Sequence, residues 1–161
     1  MNNKNSNGLS MIGLAICAGH LDVSKILIAS GYEIDLTADK VLHEVSATNR
    51  VDLMEVLCAA FGDIDVNSVD SEGRTPIHVA AVRGYIEAIR FSVRLGGKAD
   101  VLDCNGWSSL HYAVAEVHLE AVECLLEGLI AASMVERFEM EVVRKNEKGP
   151  QHLRGIFSSW D

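Results

Sequence analysis

The chain has 161 residues, 48% of them apolar, and a formal net charge of −9. That length and apolar share suffice for one domain with a continuous buried core. The acidic balance argues against nucleic acid or an anionic membrane as partner, since both need basic patches, and no run approaches the roughly 18 apolar residues that a membrane-crossing helix needs.

Residues 1–7 form a polar leader without the apolar core of a cleavable secretory signal. Together with the absence of a paired cysteine pattern, this sets the expectation of a cytosolic protein, with the nucleus as the alternative. From residue 8 the pattern becomes helical. Residues 8–36 contain Ser10-Met-Ile-Gly13, then Ala18-Gly19-His20-Leu21-Asp22-Val23 and a closing Gly31; residues 37–69 contain Lys40-Val-Leu-His43 and a second apolar-periodic stretch from Asn49 to Leu57. Both read as a pair of short helices separated by a turn.

Residues 70–102 open with Asp70-Ser-Glu-Gly73-Arg-Thr75-Pro-Ile-His78-Val-Ala-Ala, and residues 103–128 open with Asp103-Cys-Asn-Gly106-Trp-Ser108-Ser-Leu-His111-Tyr-Ala-Val. The two stretches lie 33 residues apart, and a fixed period of that length marks a solenoid of stacked units. Asp70 and Gly73 suit a tight turn, in which Asp bonds its own backbone and Gly supplies a positive φ. Thr75 is placed as a helix N-cap with Pro76 at the first helical position, where its missing N–H costs nothing. Ile77, Ala80 and Ala81 form the inward face of that helix, Gly84 ends it, and Ile86, Ile89, Phe91 and Val93 give the next helix its buried stripe.

The motif D-x-x-G-x-T-P-[IL]-H-x-A followed by a second amphipathic segment resembles the ankyrin repeat. The resemblance covers about residues 8–128, most clearly in the last two units. It implies an all-α solenoid of stacked helix-turn-helix units with hairpin-like turns, in four repeats: 8–36, 37–69, 70–102 and 103–128. With position 13, His43, His78 and His111 as markers, the repeats differ in length, and the differences are expected in the loops at Ile34–Lys40 and Phe61–Val69. In the family this histidine ties one repeat's turn to the next.

Three departures from the pattern carry expectations. Asn49 and Val117 stand where the first helix of a repeat usually ends in Gly; Asn tolerates a left-handed conformation but a β-branched Val does not, so the turn at Val117 should differ locally or the helix run on. After Gly128 the regular closing segment is missing, and residues 129–146 read as a separate capping helix with Ile130 or Ala131, Met134, Val135, Phe138 and Val142 on one face. Residues 147–161 form a tail with Leu153, Ile156, Phe157 and Trp160, suited to folding back or to acting as a linear docking peptide.

Catalytic signatures are absent: there is no phosphate-binding glycine loop, no G-x-S-x-G and no H-E-x-x-H. His43, His78 and His111 lie one repeat apart instead of converging, and Cys17, Cys58, Cys104 and Cys124 form no C-x-x-C pair, so neither a metal site nor a cofactor is expected. Cys104 maps to a turn tip. Glu116, Glu120, Glu123 and Glu127, three to four residues apart, read as a solvated helical face.

A binding surface remains. By the resemblance, hairpin tips and first helices line a concave groove. The residues at its variable positions are Ser71, Glu72, Arg74, Val82 and Arg83 in the third repeat, and Cys104, Asn105, Trp107, Ala115 and Glu116 in the fourth. Trp107 stands out as an exposed indole, which marks either partner contact or packing on Arg74 of the neighbouring tip. The expected function is a non-catalytic protein-interaction module, an adaptor or scaffold. The alternative is the targeting segment of a larger enzyme such as a kinase or ubiquitin ligase. The expected partner is a basic or mixed-charge protein, without nucleic acid or membrane insertion, and the apolar solenoid ends offer surfaces for homo-association. Asp65-Val-Asn67 also matches the turn asparagine that ankyrin-directed hydroxylases modify.

Overall fold

The computed structural model describes residues 10–31, 40–62 and 64–148. The leader 1–7, most of the loop Ile34–Lys40, the tail beyond Lys148 and the side chains of Phe138 and Val142 lie outside them. All regular structure among the described residues is helical: α1 Met11–Cys17, α2 Leu21–Ala29, α3 Val41–Ala47, α4 Val51–Phe61, α5 Pro76–Arg83, α6 Ile86–Arg94, α7 Ser109–Ala115 and α8 Leu119–Lys148. Two compact units divide at Leu126 and Glu127.

In the first unit the helices pair in chain order into four turn-linked repeats. First helices pack on first helices along the series α1, α3, α5, α7, and second helices on second helices along α2, α4, α6. The core runs through this ladder: Ile12, Ile16, Val41, Val45, Leu53, Leu57, Ile77, Ile89 and Leu125 are at most 1% exposed. Ala80, Ala81, Ala88, Ala113 and Ala121 are fully buried between neighbouring repeats, where small side chains let helices approach closely.

Local chemistry sets the helix ends. Thr75 has extended φ/ψ before Pro76, and a capping box joins it to His78; Ser108 and His111 repeat the arrangement on α7. Between the two helices of each repeat the backbone closes the same way. His20 N–H donates to Ala15 O at 2.9 Å, Arg50 N–H to Val45 O at 3.2 Å, Tyr85 N–H to Ala80 O at 3.0 Å and His118 N–H to Ala113 O at 2.9 Å. The residue preceding each donor is left-handed: Gly19 at φ 73°, Asn49 at 54°, Gly84 at 66° and Val117 at 58°. The turn at Val117 is therefore not remodelled. The stacking register holds a β-branched residue in a conformation that costs about 1–2 kcal/mol.

After the turns of repeats two and four the next side chain reaches the preceding repeat. Arg50 Nη1 donates to Gly19 O at 2.8 Å, and His118 Nε2 donates to Val82 O at 3.1 Å. Asn49, having a side chain where its neighbours have none, reaches forward instead: its Oδ1 accepts from Ala88 N–H and its Nδ2 donates to Glu87.

The expected break at Gly128 is absent. α8 runs through it from Leu119 to Lys148, so the second helix of repeat four and the segment read as a separate helix are one element. Gly lowers helix propensity without forbidding helix, and the flanking Leu, Ile, Ala, Glu and Met favour it. Within the second unit Ile130, Met134 and Val135 are exposed.

Candidate protein-binding surface

The turns that open repeats three and four are built by their aspartates. Asp70 N–H donates to Arg74 O at 2.9 Å, while Asp70 Oδ1 accepts the Glu72 and Arg74 amides, both at 2.9 Å. Asp70 Oδ2 accepts from the Arg74 guanidinium at 2.9 Å, and Arg74 also pairs with Glu72 at 3.1 Å. Asp103 repeats the scheme: its N–H donates to Trp107 O at 2.9 Å, and its Oδ1 accepts the Asn105 amide at 2.8 Å and the Trp107 amide at 2.9 Å. Its Oδ2 accepts from Tyr112 Oη at 2.5 Å where Asp70 uses arginine.

Burial alone would raise the Asp70 pKa, but the two amides and the guanidinium outweigh it and hold the carboxyl below the ordinary range. The Tyr112 hydroxyl, followed by the Trp107 amide, does the same for Asp103. The hairpins also join each other: Cys104 N–H donates to Glu72 O at 2.9 Å. Gly73 permits this approach, because a Cβ there would lie 3.0 Å from Cys104 N.

The histidines are clamps. Nε2 of His43 donates to Arg74 O at 2.7 Å, and Nε2 of His78 donates to Trp107 O at 3.1 Å, so these two rings of α3 and α5 hold the next hairpin. His78 Nδ1 accepts the Thr75 amide at 3.1 Å, which fixes the Nε2–H tautomer. Burial depresses the pKa of both rings, only partly offset by the carbonyls they bond. Among the described residues no three His, Cys, Asp or Glu side chains are grouped as metal ligands would be.

A family model for ankyrin repeats in three copies matches residues 42–135, which take in repeats two to four. The chain belongs to the ankyrin repeat family. Repeat one lies outside that match but shares the turn geometry and stacking of the others. Similar proteins include a VAPYRIN-LIKE protein of Medicago truncatula, 46% identical over 62% of this chain and 22% of the relative. Ankyrin repeat domain-containing protein 13B of Mus musculus is 29% identical over 62% of this chain and 17% of the relative. Glycerophosphocholine phosphodiesterase GDE1 of Candida albicans is 26% identical over 74% of this chain and 10% of the relative. The chain thus spans less than a quarter of each. Ankyrin repeats are in general protein-interaction modules, and nothing in the family match points to catalysis.

On this ankyrin scaffold the variable-position residues fall as follows. Ser71, Glu72, Arg83, Cys104, Asn105, Trp107, Ala115 and Glu116 are exposed; Arg74 and Val82 are half-buried. Arg74 is committed to Asp70 and Glu72 and does not carry the cation–π contact considered for Trp107. The indole, 41% exposed, leans instead on Tyr112, with ring centroids 5.1 Å apart, and on His111 at 6.1 Å. It is propped from behind and open in front.

Asn67 is half-buried and bridges repeats: its Nδ2 donates to Gly96 O at 3.1 Å and its Oδ1 accepts from Lys98 N–H at 2.8 Å. Sequence reasoning missed Val69 and Leu102, both exposed and each immediately before a turn aspartate. The signal was available as an apolar residue recurring at the 33-residue period next to a turn.

Proposed function

We propose that the chain is a non-catalytic adaptor or scaffold module that binds a protein partner through its hairpin tips and the adjoining first helices. The rigidity of the tips carries this reading. Asp70 and Asp103 immobilise the turn backbones, the histidines fix the turns to the helices, and a bond from Cys104 to Glu72 fixes one turn to the other. Side chains held on such a frame lose little conformational freedom on binding, so modest contacts suffice. Val69, Leu102 and Trp107 supply exposed apolar surface among Glu72, Asn105 and Glu116, a composition suited to a partner with apolar anchors and basic or mixed charge. The cytosol, with the nucleus as alternative, is the compartment this reading favours.

The test is capture of partners from a lysate by the wild-type chain and by Glu72→Ala/Trp107→Ala of equal helicity. Loss of a partner from the variant alone supports the reading; undiminished capture rejects it.

A second reading, the targeting segment of a larger enzyme, draws on the similarity to a tenth of a protein named as a phosphodiesterase. A catalytic sequence elsewhere in the same gene product would support it. The hydroxylation reading of Asn67 requires release of its bonds to Gly96 and Lys98, and mass spectrometry of Asn67 from cells tests it.

A further inference from the structure

The boundaries inside the stack show what each face of a repeat needs. At the boundary between repeats three and four, His78 and Ala81 of α5 are fully buried; the matching residues of repeat four, His111 and Val114, are exposed, Val114 at 59%. Leu119 and Leu126 of α8 are likewise exposed where Ile86 and Val93 of α6 are half-buried. The opposite end shows the converse. Val23 is 47% exposed where Leu53, Ala88 and Ala121 are fully buried, and Ile26 is 64% exposed where Phe91 and Cys124 are 7% exposed. Met11 is exposed where Val41 is buried.

These are the two halves of one interface, displayed on opposite ends of the same unit. We propose that a second copy of the chain stacks its repeat one on repeat four of the first, head to tail, continuing the internal stacking interface across a chain boundary. Sequence at the junction supports the match. Repeat one carries His20-Leu21-Asp22 where repeat four carries His118-Leu119-Glu120, and His118 already docks on the preceding repeat through Val82 O. His20 is exposed, but Val117 denies its ring the seat that Gly84 gives His118, so the junction rests on the apolar contacts.

Val117 sits where Gly84 leaves room for the His118 ring, so this junction is looser than the one between repeats three and four. It is not closed, because the Asn49 turn shows that a side chain at this position is accommodated within a stack. Such an interface is heterologous and does not close on itself, so association grows with concentration into chains.

The experiment is sedimentation velocity on the whole chain over a concentration series, with Ile26→Glu blocking the head and Val114→Glu blocking the tail. Both sites are exposed, and circular dichroism checks that both variants fold. The wild type should shift from monomer to dimer and larger species. Each variant alone should stay monomeric, and an equal mixture should form a one-to-one dimer and stop. A wild type that stays monomeric to about 1 mM, the limit of meaningful affinity, overturns the proposal. So does association of either variant alone, or a mixture without dimers. The hairpin variant Glu72→Ala/Trp107→Ala should associate like the wild type, which separates this proposal from partner binding at the tips.

Discussion

The ring of His118 lies across Gly84 so closely that a Cβ on the glycine would stand 2.7 Å from His118 Cγ. Gly84 is also left-handed, at φ 66°. Gly84→Ala should therefore cost stability twice, through backbone strain and through displacement of a docked ring, for a loss of about 2 kcal/mol or more. Gly106→Ala makes the comparison: it has a similar φ of 76° but no atom within 4 Å of the added Cβ, so it should cost only about 1 kcal/mol. Urea unfolding of the two variants measures the difference.

Val117 offers the reverse substitution. Its φ of 58° is imposed by the same turn that Gly19 and Gly84 occupy without strain, and its side chain is largely exposed. Val117→Gly should raise stability by about 1 kcal/mol, because the strain relieved outweighs the added freedom of the unfolded chain. A lower urea midpoint would show that the valine contributes more through contacts than it loses through strain.

Lys40 marks a missing cap. His78 and His111 each accept an amide from the Thr or Ser three residues earlier, whereas the residue three before His43 is Lys40, at φ 46°, and His43 Nδ1 is buried without a partner. Because Thr does not tolerate φ 46°, Lys40→Thr should draw residue 40 into the extended conformation of Thr75 and Ser108, give α3 their capping box and gain about 1 kcal/mol. The rise in thermal midpoint is the readout.

Stability should fall on mild acidification. Burial holds the folded pKa of His43 and His78 below the unfolded value of about 6.5, so the unfolded chain takes up protons first as pH drops. Their contribution is complete above that value and is lost as pH falls from about 6.5 through the folded pKa values, with a slope of at most about 1.4 kcal/mol per pH unit for each ring. Asp70 and Asp103, held low, add a second loss below about pH 4. Urea midpoints across this range check the sign: a rise in stability between about pH 7.5 and 5.5 would contradict the buried clamp.

The sequence carried the fold wherever a residue's role is local. Thr75, Pro76, Gly84 and the turn aspartates act within a few residues of themselves, so their chemistry was readable one repeat at a time. Val117 misled because its conformation is set by register: the packing of α7 on α5 and the docking of His118 on Val82 O override a preference of about 1–2 kcal/mol. Gly128 misled because a lone glycine resembles a repeat's closing turn, but only the missing segment after it could have enforced a stop. At the surface, the exposed tips were legible from the motif. The prop beneath Trp107 was not, since Tyr112 and Arg74 compete for that place only in three dimensions.

The central claim is that the tips bind a protein, and affinity measured on a captured partner tests it most directly. Titration calorimetry should compare the wild type with Trp107→Ala and with Glu123→Ala, an exposed change on α8 away from the tips. The account predicts a loss of about 2 kcal/mol or more, roughly 30-fold, for Trp107→Ala and little change for Glu123→Ala. Unchanged affinity for Trp107→Ala, with helicity intact, would contradict it.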